Sequence, residues 1–439
     1  MLALELQNRI KQFNPWLIKP ERAKELIHGF LPKGYVHREM EKAAVKSDRA
    51  LLIVGPRQSG KSTLVWHEVQ SFSPNILFLN MEEPLLRTMG AQPIDFVHLV
   101  REQYPFIATL FIDEIQHIDE AALFVKALVD AKLNLPIWVT GSSSFHLRSR
   151  TRESLAGRAI RRRLLPFSLK ELLGYANPRN PVEERHVSEQ IFSHQLVMGS
   201  FPAVYLATER EKKSMLLNEL VESLVLRDAS DLFRIKRIDA FRRLLTLLAG
   251  QIGNLVNLSE LASICNVDVG TIASYIDILE QSHVLKRTRP FAGGKRREIT
   301  GAPKVYFIDN GIRNQLLNQL NSQLELRPDI GQLLENWVFT EIFKALPLRS
   351  SLEFWRSKAG AEVDFVVEHA AELHAFEVKS SSMTQPRLTR SAWSFLEAYK
   401  PKSFTVVNMA LEAELQVEGI KVRFITSYEL PSRLCAIFD

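Results

Sequence analysis

Residues 51–62 read LLIVGPRQSGKS, four apolar residues followed by Gly55-x-x-x-x-Gly60-Lys61-Ser62, and the chain then continues as TLVWHEV at 63–69. A short apolar run closed by a glycine turn reads as a buried strand, and TLVWHEV is compatible with a helix that opens directly from the turn. Glycine at positions 55 and 60 lets successive backbone N–H groups converge on one point. The N-terminus of the following helix adds a partial positive charge there, so the turn favours an anion. Lys61 is placed to reach the β- and γ-phosphates of a nucleotide and Ser62 to ligate Mg2+, with Thr63 completing the phosphate-binding set. The cofactors expected are ATP and Mg2+.

Working outward, the β-rich runs NILFLN, TLFIDE, PIWVTG and RRLLPF alternate with segments long enough for helices, the pattern of an α/β fold with a parallel sheet. TLFIDE ends in two adjacent acids. Asp113 is expected on the metal side and Glu114 beside the attacking water, because phosphoryl transfer needs positioned groups rather than covalent chemistry. PIWVTGSSS places Thr140 and residues 142–144 where a polar side chain senses the γ-phosphate. Ser142 is the catalytic candidate among the serines, with a turn or capping role equally open for any one of them.

The chain has 439 residues, a formal net charge of +6 and two cysteines, Cys265 and Cys435. That length allows several cores, and two cysteines exclude a disulfide scaffold or a four-thiolate metal site. No apolar run approaches a bilayer-spanning length and the first residues lack a secretory pattern, so a cytoplasmic protein without a membrane partner is expected. Basic residues gather in two stretches. Seven arginines lie between Arg148 and Arg163, and Lys286, Arg287, Arg289, Lys295, Arg296, Arg297 and Lys304 lie close together further on. Such clusters suggest a polyanion partner.

The motifs resemble those of the AAA+ ATPases over roughly residues 35–235. GPRQSGKST, LFIDEIQ, TGSSS, SLAGR, PFSLKE and GSFPAVY together look like the bacterial and archaeal ATPases with a C-terminal domain of uncharacterised function. The resemblance implies an arginine, shortly before the last core strand, that reaches the neighbouring subunit's nucleotide. Arg158 in SLAGR is the preferred finger, and Arg152 and Arg227 are the alternatives. It also implies a homo-oligomer, expected as a hexamer. A second sensor arginine is not apparent. The organisation expected is an N-terminal helical extension (1–34), a P-loop core (35–175), a helical lid (176–238), a winged helix (239–310) and a nuclease-like α/β domain (311–439).

The winged helix is read from NLSELASICNVDVGTIASYIDILEQSHVL at 257–285, whose apolar spacing breaks at Asn266 to Asp268, followed by a segment that reads as a hairpin with a basic tip. Thr271, Ser274 and Tyr275 are placed to approach a DNA groove and Lys295, Arg296 and Arg297 to meet phosphates. An interaction module is the other reading of the same pattern. Cys265 is expected in the core.

In the last domain Glu335 falls on a helix, Asp364 in the strand EVDFVV, and Glu377 and Lys379 two apart in AFEVKSS, hence on one strand face. Two strand-end acids with a lysine match the cradle of Mg2+-dependent nucleases. Their order resembles the PD-(D/E)xK fold and its Holliday-junction resolvases, which also carry a glutamate on the first helix. A second metal site at Glu335, Asp364, Glu377 and Lys379 is therefore expected as an option. Retention of these residues for structure or DNA binding is the alternative. Glu341, Glu362 and Glu368 are expected at the surface, with Glu341 as a fallback ligand. The functional expectation is an oligomeric ATP-driven motor on DNA, favouring branched DNA such as a Holliday junction. A signalling or defence switch that binds a partner, and an ATP-gated nuclease, are the alternatives.

Overall fold

A computed structural model describes residues 2–40, 48–70, 75–141, 155–223, 235–293, 301–320, 323–347 and 350–438. The chain forms two compact units, Met1–Leu165 with Gln281–His283, and Pro166–Glu280 with Val284–Asp439.

The first unit is built on five parallel strands, β1 (Ala50–Val54), β2 (Ile76–Asn80), β3 (Thr109–Asp113), β4 (Ile137–Gly141) and β5 (Ala159–Arg163), in the order β2-β3-β4-β1-β5. Alternate residues feed opposite faces, as the pleat requires. Leu52, Leu77, Leu79, Leu110 and Val139 pack under the helices Pro93–Gln103 and Ala121–Asp130. Leu51, Ile53, Phe78, Phe111 and Trp138 pack on the other face with Trp16 and with Trp66 of the helix Lys61–Val69. Burial on both faces explains why these strands read as continuous apolar runs. The open edge at β2 is covered by the N-terminal segment: the Asn14 amide and carbonyl bond the backbone of Phe78 at 2.9 and 2.6 Å, and Trp16 donates to the Ile76 carbonyl at 2.7 Å.

The second unit begins with a capping box, Ser168 and Glu171 exchanging bonds at the start of the helix Leu169–Ala176. Helices follow at Pro181–Met198 and Arg210–Glu222, then at Ile238–Gly250, Leu258–Cys265 and Val269–Gln281. The last two are bent by 101° at the break between them. Strands β6 (Leu285–Thr288) and β7 (Lys304–Phe307) pair antiparallel after them. Cys265 is buried among these helices. A second sheet closes the chain: β8 (Ser351–Arg356), β9 (Glu362–His369), β10 (Glu372–Lys379), β11 (Ser403–Asn408), β12 (Ala413–Val417) and β13 (Ile420–Ile425), in the order β12-β13-β11-β10-β9-β8. The helix Ile330–Ala345 precedes it. Among the described residues no single helix is long and apolar enough to cross a membrane.

The blocks of this unit are knit by buried polar groups. Asn314 donates to the Leu196 and Val197 carbonyls at 2.9 Å, and Asp309 accepts from the Ser200 N–H at 2.6 Å. Asn336 bonds the Phe307 backbone in both directions, and Trp337 donates to Gln195 at 2.8 Å. Glu341, expected at the surface, is buried instead. It accepts the Leu169 N–H at 2.9 Å and pairs with Lys344 at 2.8 Å. A carboxylate on a helix otherwise full of apolar residues is tolerated there because both oxygens have donors.

Candidate functional site

The strand order sets the C-terminal ends of β1, β3 and β4 side by side. Val54 is in register with Gly141, and Ile53 with Thr140, while Ile112 of β3 is in register with Val139 of β4. The glycine turn after β1, the acids after β3 and the threonine at the end of β4 therefore meet at one edge of the sheet, where ligands of open α/β sheets bind.

Gly60 takes φ 89° and so lets the turn run straight into the helix Lys61–Val69. Gly55 is required for a different reason: a Cβ there would lie 2.0 Å from the Leu164 carbonyl oxygen. Lys61 is only 4% exposed, and its ammonium donates to the Gly55 and Pro56 carbonyls at 3.3 and 2.8 Å. Ser62 Oγ donates to Asp113 Oδ1 at 2.9 Å, and Thr140 Oγ1 donates to the same oxygen. Thr140 Oγ1 also accepts the Glu114 N–H at 3.3 Å. Thr63 follows on the first turn of the same helix.

Burial, and then repulsion from Glu114, push the Asp113 carboxyl up to about 6, against the pull of hydrogen bonds from Thr140 and Ser62 and of the Lys61 charge. A buried carboxylate short of positive charge, bonded to a hydroxyl beside a phosphate-binding turn, is the donor set a magnesium ion takes. Ser62 and Asp113 fit that ion. Glu114 is partly buried, with its carboxylate held by the side-chain amide of Gln116.

Two residues of this site had no role assigned from the sequence. Arg38 is buried and donates to the Ser59 carbonyl at 3.0 Å and to the Leu165 carbonyl at 2.5 Å, tying the turn to the strand leaving the sheet. Nothing in the segment around it signals this. Gln116 is the other, and its separation of two from Glu114 was the available sign. Ser142, together with the alternative fingers Arg152 and Arg227, lies outside the described residues. Arg158 precedes β5, where its carbonyl bonds the Ala50 N–H at 2.9 Å. That is the start of β1, so about 16 Å of strand separates Arg158 from its own turn. Its guanidinium pairs with Asp130 at 2.6 Å.

In the second unit, Thr271 is engaged by Asp268, which caps the helix Val269–Gln281, and Ser274 is exposed. Both line a groove of 1120 Å³ shared with Lys236, Arg237, Ser263 and Asn266. Residues 258–281 contain no lysine or arginine. Lys286 and Arg287, counted in a basic cluster from the sequence, are neutralised by Glu280 and Asp277. Lys295, Arg296 and Arg297 lie outside the described residues.

The acids of the last domain approach one another around a lysine. Lys304 of β7 is 3% exposed, pairs with Glu362 and lies 3.5 Å from Glu335, whose carboxylate also accepts the Tyr306 hydroxyl at 2.6 Å. Asp364 accepts the Val378 N–H at 2.7 Å; burial, reinforced by Glu335, pushes its carboxyl up to about 8. Glu377 pairs with Lys379 at 2.7 Å and accepts the Thr389 hydroxyl at 3.0 Å. Among the described residues no three His, Cys, Asp or Glu side chains are grouped to hold a metal ion.

Three family models match the chain: an AAA domain over residues 47–173, a Domain of unknown function (DUF8612) over 189–323 and a Domain of unknown function (DUF4143) over 330–428. An uncharacterized protein of Haemophilus influenzae is 26% identical over 400 residues, 88% of this chain and 95% of that one. An uncharacterized protein of Mycobacterium tuberculosis is 29% identical over 367 residues, 82% of this chain and 77% of that one. Among solved structures, the Aeropyrum pernix ORC1 protein in complex with DNA aligns with 68% of this chain and 96% of its own at 13% identity and a TM-score of 0.32. The glycine turn, the two strand-end acids and Thr140 all fall within residues 47–173, which match the model of an AAA domain.

Proposed function

We propose that the chain is an ATP-hydrolysing AAA+ protein that assembles as a homo-oligomer, a hexamer, and acts on DNA, with branched DNA such as a Holliday junction as its substrate. The observation that carries the ATPase reading is the convergence of Lys61, Ser62, Asp113, Glu114 and Thr140 at one edge of the parallel sheet. Lys61 and the N–H groups of the turn hold the phosphates, Ser62 and Asp113 hold Mg2+, and Glu114 orients the attacking water. Mg2+, when bound, neutralises charge that develops between the β- and γ-phosphates. Arg158, remote from its own turn, is the finger offered to a neighbouring subunit, and release of Asp130 frees it. That assignment supports an oligomer, because the finger acts only across an interface.

The groove beside Thr271 and Ser274, with Lys236 and Arg237 on its wall, supports a DNA contact of a winged helix. Lys304 among the acids of the last domain supports a nuclease-like fold that grips DNA without cutting it. A second reading, an ATP-controlled switch that binds a protein partner through this helical module, is favoured by the lack of any basic residue over 258–281.

The test combines turnover with binding. Lys61→Ala should abolish ATP turnover, while Glu114→Gln should keep ATP binding and hydrolyse on the order of 10²-fold more slowly. Parental turnover in Glu114→Gln rejects the site. With a four-way DNA junction and a matched duplex, tighter salt-sensitive binding of the junction supports the DNA reading; no binding of either supports the switch.

A further inference from the structure

Gln116 is 1% exposed. Its side-chain nitrogen donates to Glu114 Oε2. The orientation of the amide follows from chemistry: an ionised carboxylate offers only acceptors, so the NH2 group must face it. Glu114 itself sits at φ 54°, in the left-handed region that a residue with a Cβ seldom occupies, so its side chain leaves the line of β3. Two groups hold it in that place, Thr140 on its backbone N–H and Gln116 on its carboxylate.

The amide is confined from behind. A Cβ on Gly141, the last residue of β4, would lie 3.0 Å from Gln116 Oε1 and 2.9 Å from Ile115 Cγ2. The amide therefore lies between the end of β4 and the carboxylate after β3, with room on the β4 side for a hydrogen and not for a methyl group. A neutral donor suits this place. A lysine or arginine would add a charge that draws the carboxylate into a lasting ion pair, whereas an amide orients it and leaves it to accept a proton from water.

We propose that Gln116 is a positioning residue for ATP hydrolysis, fixing the carboxylate of Glu114 against the end of β4 in the geometry that meets the attacking water. The proposal rests on the assignment of Glu114 as the water-orienting group. Thr140 and Gly141 are neighbours on β4, so the same strand end sets Asp113 through Thr140 and Glu114 through Gln116. The two acids are thereby held in a common frame.

The test is steady-state ATP hydrolysis by the full chain, with binding of a fluorescent ATP analogue measured on the same samples. Gln116→Leu keeps the bulk and removes the donor; kcat should fall roughly ten- to a hundredfold while KM and analogue binding stay within about twofold of the parent. Placed on Glu114→Gln, the same change should cause no further loss, since the interaction it removes no longer serves catalysis. Gly141→Ala, which removes no polar group but crowds the Gln116 amide, should lower kcat severalfold in the same manner. Parental kcat in Gln116→Leu overturns the proposal, as does a full further loss in the Glu114→Gln background. Loss of analogue binding in both Gln116→Leu and Gly141→Ala makes Gln116 a packing residue and equally overturns it. A parent that hydrolyses no ATP, or a Glu114→Gln protein as fast as the parent, rejects the ATPase assignment itself.

Discussion

Asp329 joins two buried guanidinium groups. It accepts from Arg327 at 2.9 and 2.8 Å and from Arg313, which is 2% exposed and also donates to the Ala249 carbonyl, Asn314 and Gln319. Burial pushes this carboxyl up, but the hydrogen bonds and charges of Arg327 and Arg313 outweigh it and hold the group at about 2. The native state therefore binds this proton more weakly than the unfolded chain, where the ordinary value is 3.8. Its stabilisation is complete above about pH 4 and is lost as the pH falls toward 2, a change of roughly 2 kcal/mol. Urea denaturation of the parent and of Asp329→Asn from pH 2 to 5 should show a difference in stability that narrows as the pH falls through this window. A constant difference would place the stabilisation elsewhere. None of this was legible in the sequence, because Arg313, Arg327 and Asp329 fall between the motifs and carry no periodic signal. The glycine turn and the acids beside it were legible for the opposite reason: a turn whose backbone N–H groups converge tolerates only a few residue types at fixed spacing.

At the scale of elements, legibility followed burial. The strands buried on both faces, β1 to β4, were read within a residue or so of their ends. RRLLPF was taken as the last core strand, whereas β5 is Ala159–Arg163 and Leu164 and Leu165 are buried just beyond it. An edge strand pairs on one side only, so its charged residues can stay half-exposed and the apolar signal shifts to the exit. The strand β12 was missed altogether: AELQV alternates with Glu414 and Gln416 outward, and its hairpin turns at Glu418 and Gly419, both at positive φ. The hairpin of β6 and β7 packs Leu285, Val305 and Phe307 with the helices before it, Phe291 beyond β6 donates to the Phe354 carbonyl at 2.6 Å and Lys304 lies among acids, while the basic tip lies outside the described residues. Removing one partner of a buried ion pair typically costs about 3–5 kcal/mol. Lys304→Met should therefore lower the unfolding temperature of the second unit and leave ATP turnover at saturation unchanged, as calorimetry alongside an ATPase assay would check. An unshifted transition would mean that Glu335 and Glu362 need no cation.

At the scale of the whole molecule, the proposed finger Arg158 lies at the opposite end of β1 from the glycine turn of its own chain, so on that proposal activity would be a property of an assembly. Arg158→Ala should bind ATP yet hydrolyse it slowly, and mixing it with Lys61→Ala should restore part of the turnover, because one kind of interface then has an intact turn facing an intact arginine. Turnover in the mixture no greater than the sum of the separate proteins would move the finger to another residue. The contact between Gly55 and the Leu164 carbonyl joins the glycine turn to the end of the sheet. The missing methyl group leaves the phosphate loop seated directly on the backbone that leaves the sheet, and Arg38 bolts loop and exit together at Ser59 and Leu165. Pro166, the next residue, begins the second unit. A shift of the loop would therefore be felt at Leu165, the last residue of the first unit. A single added carbon at position 55 would have to part the loop from that backbone.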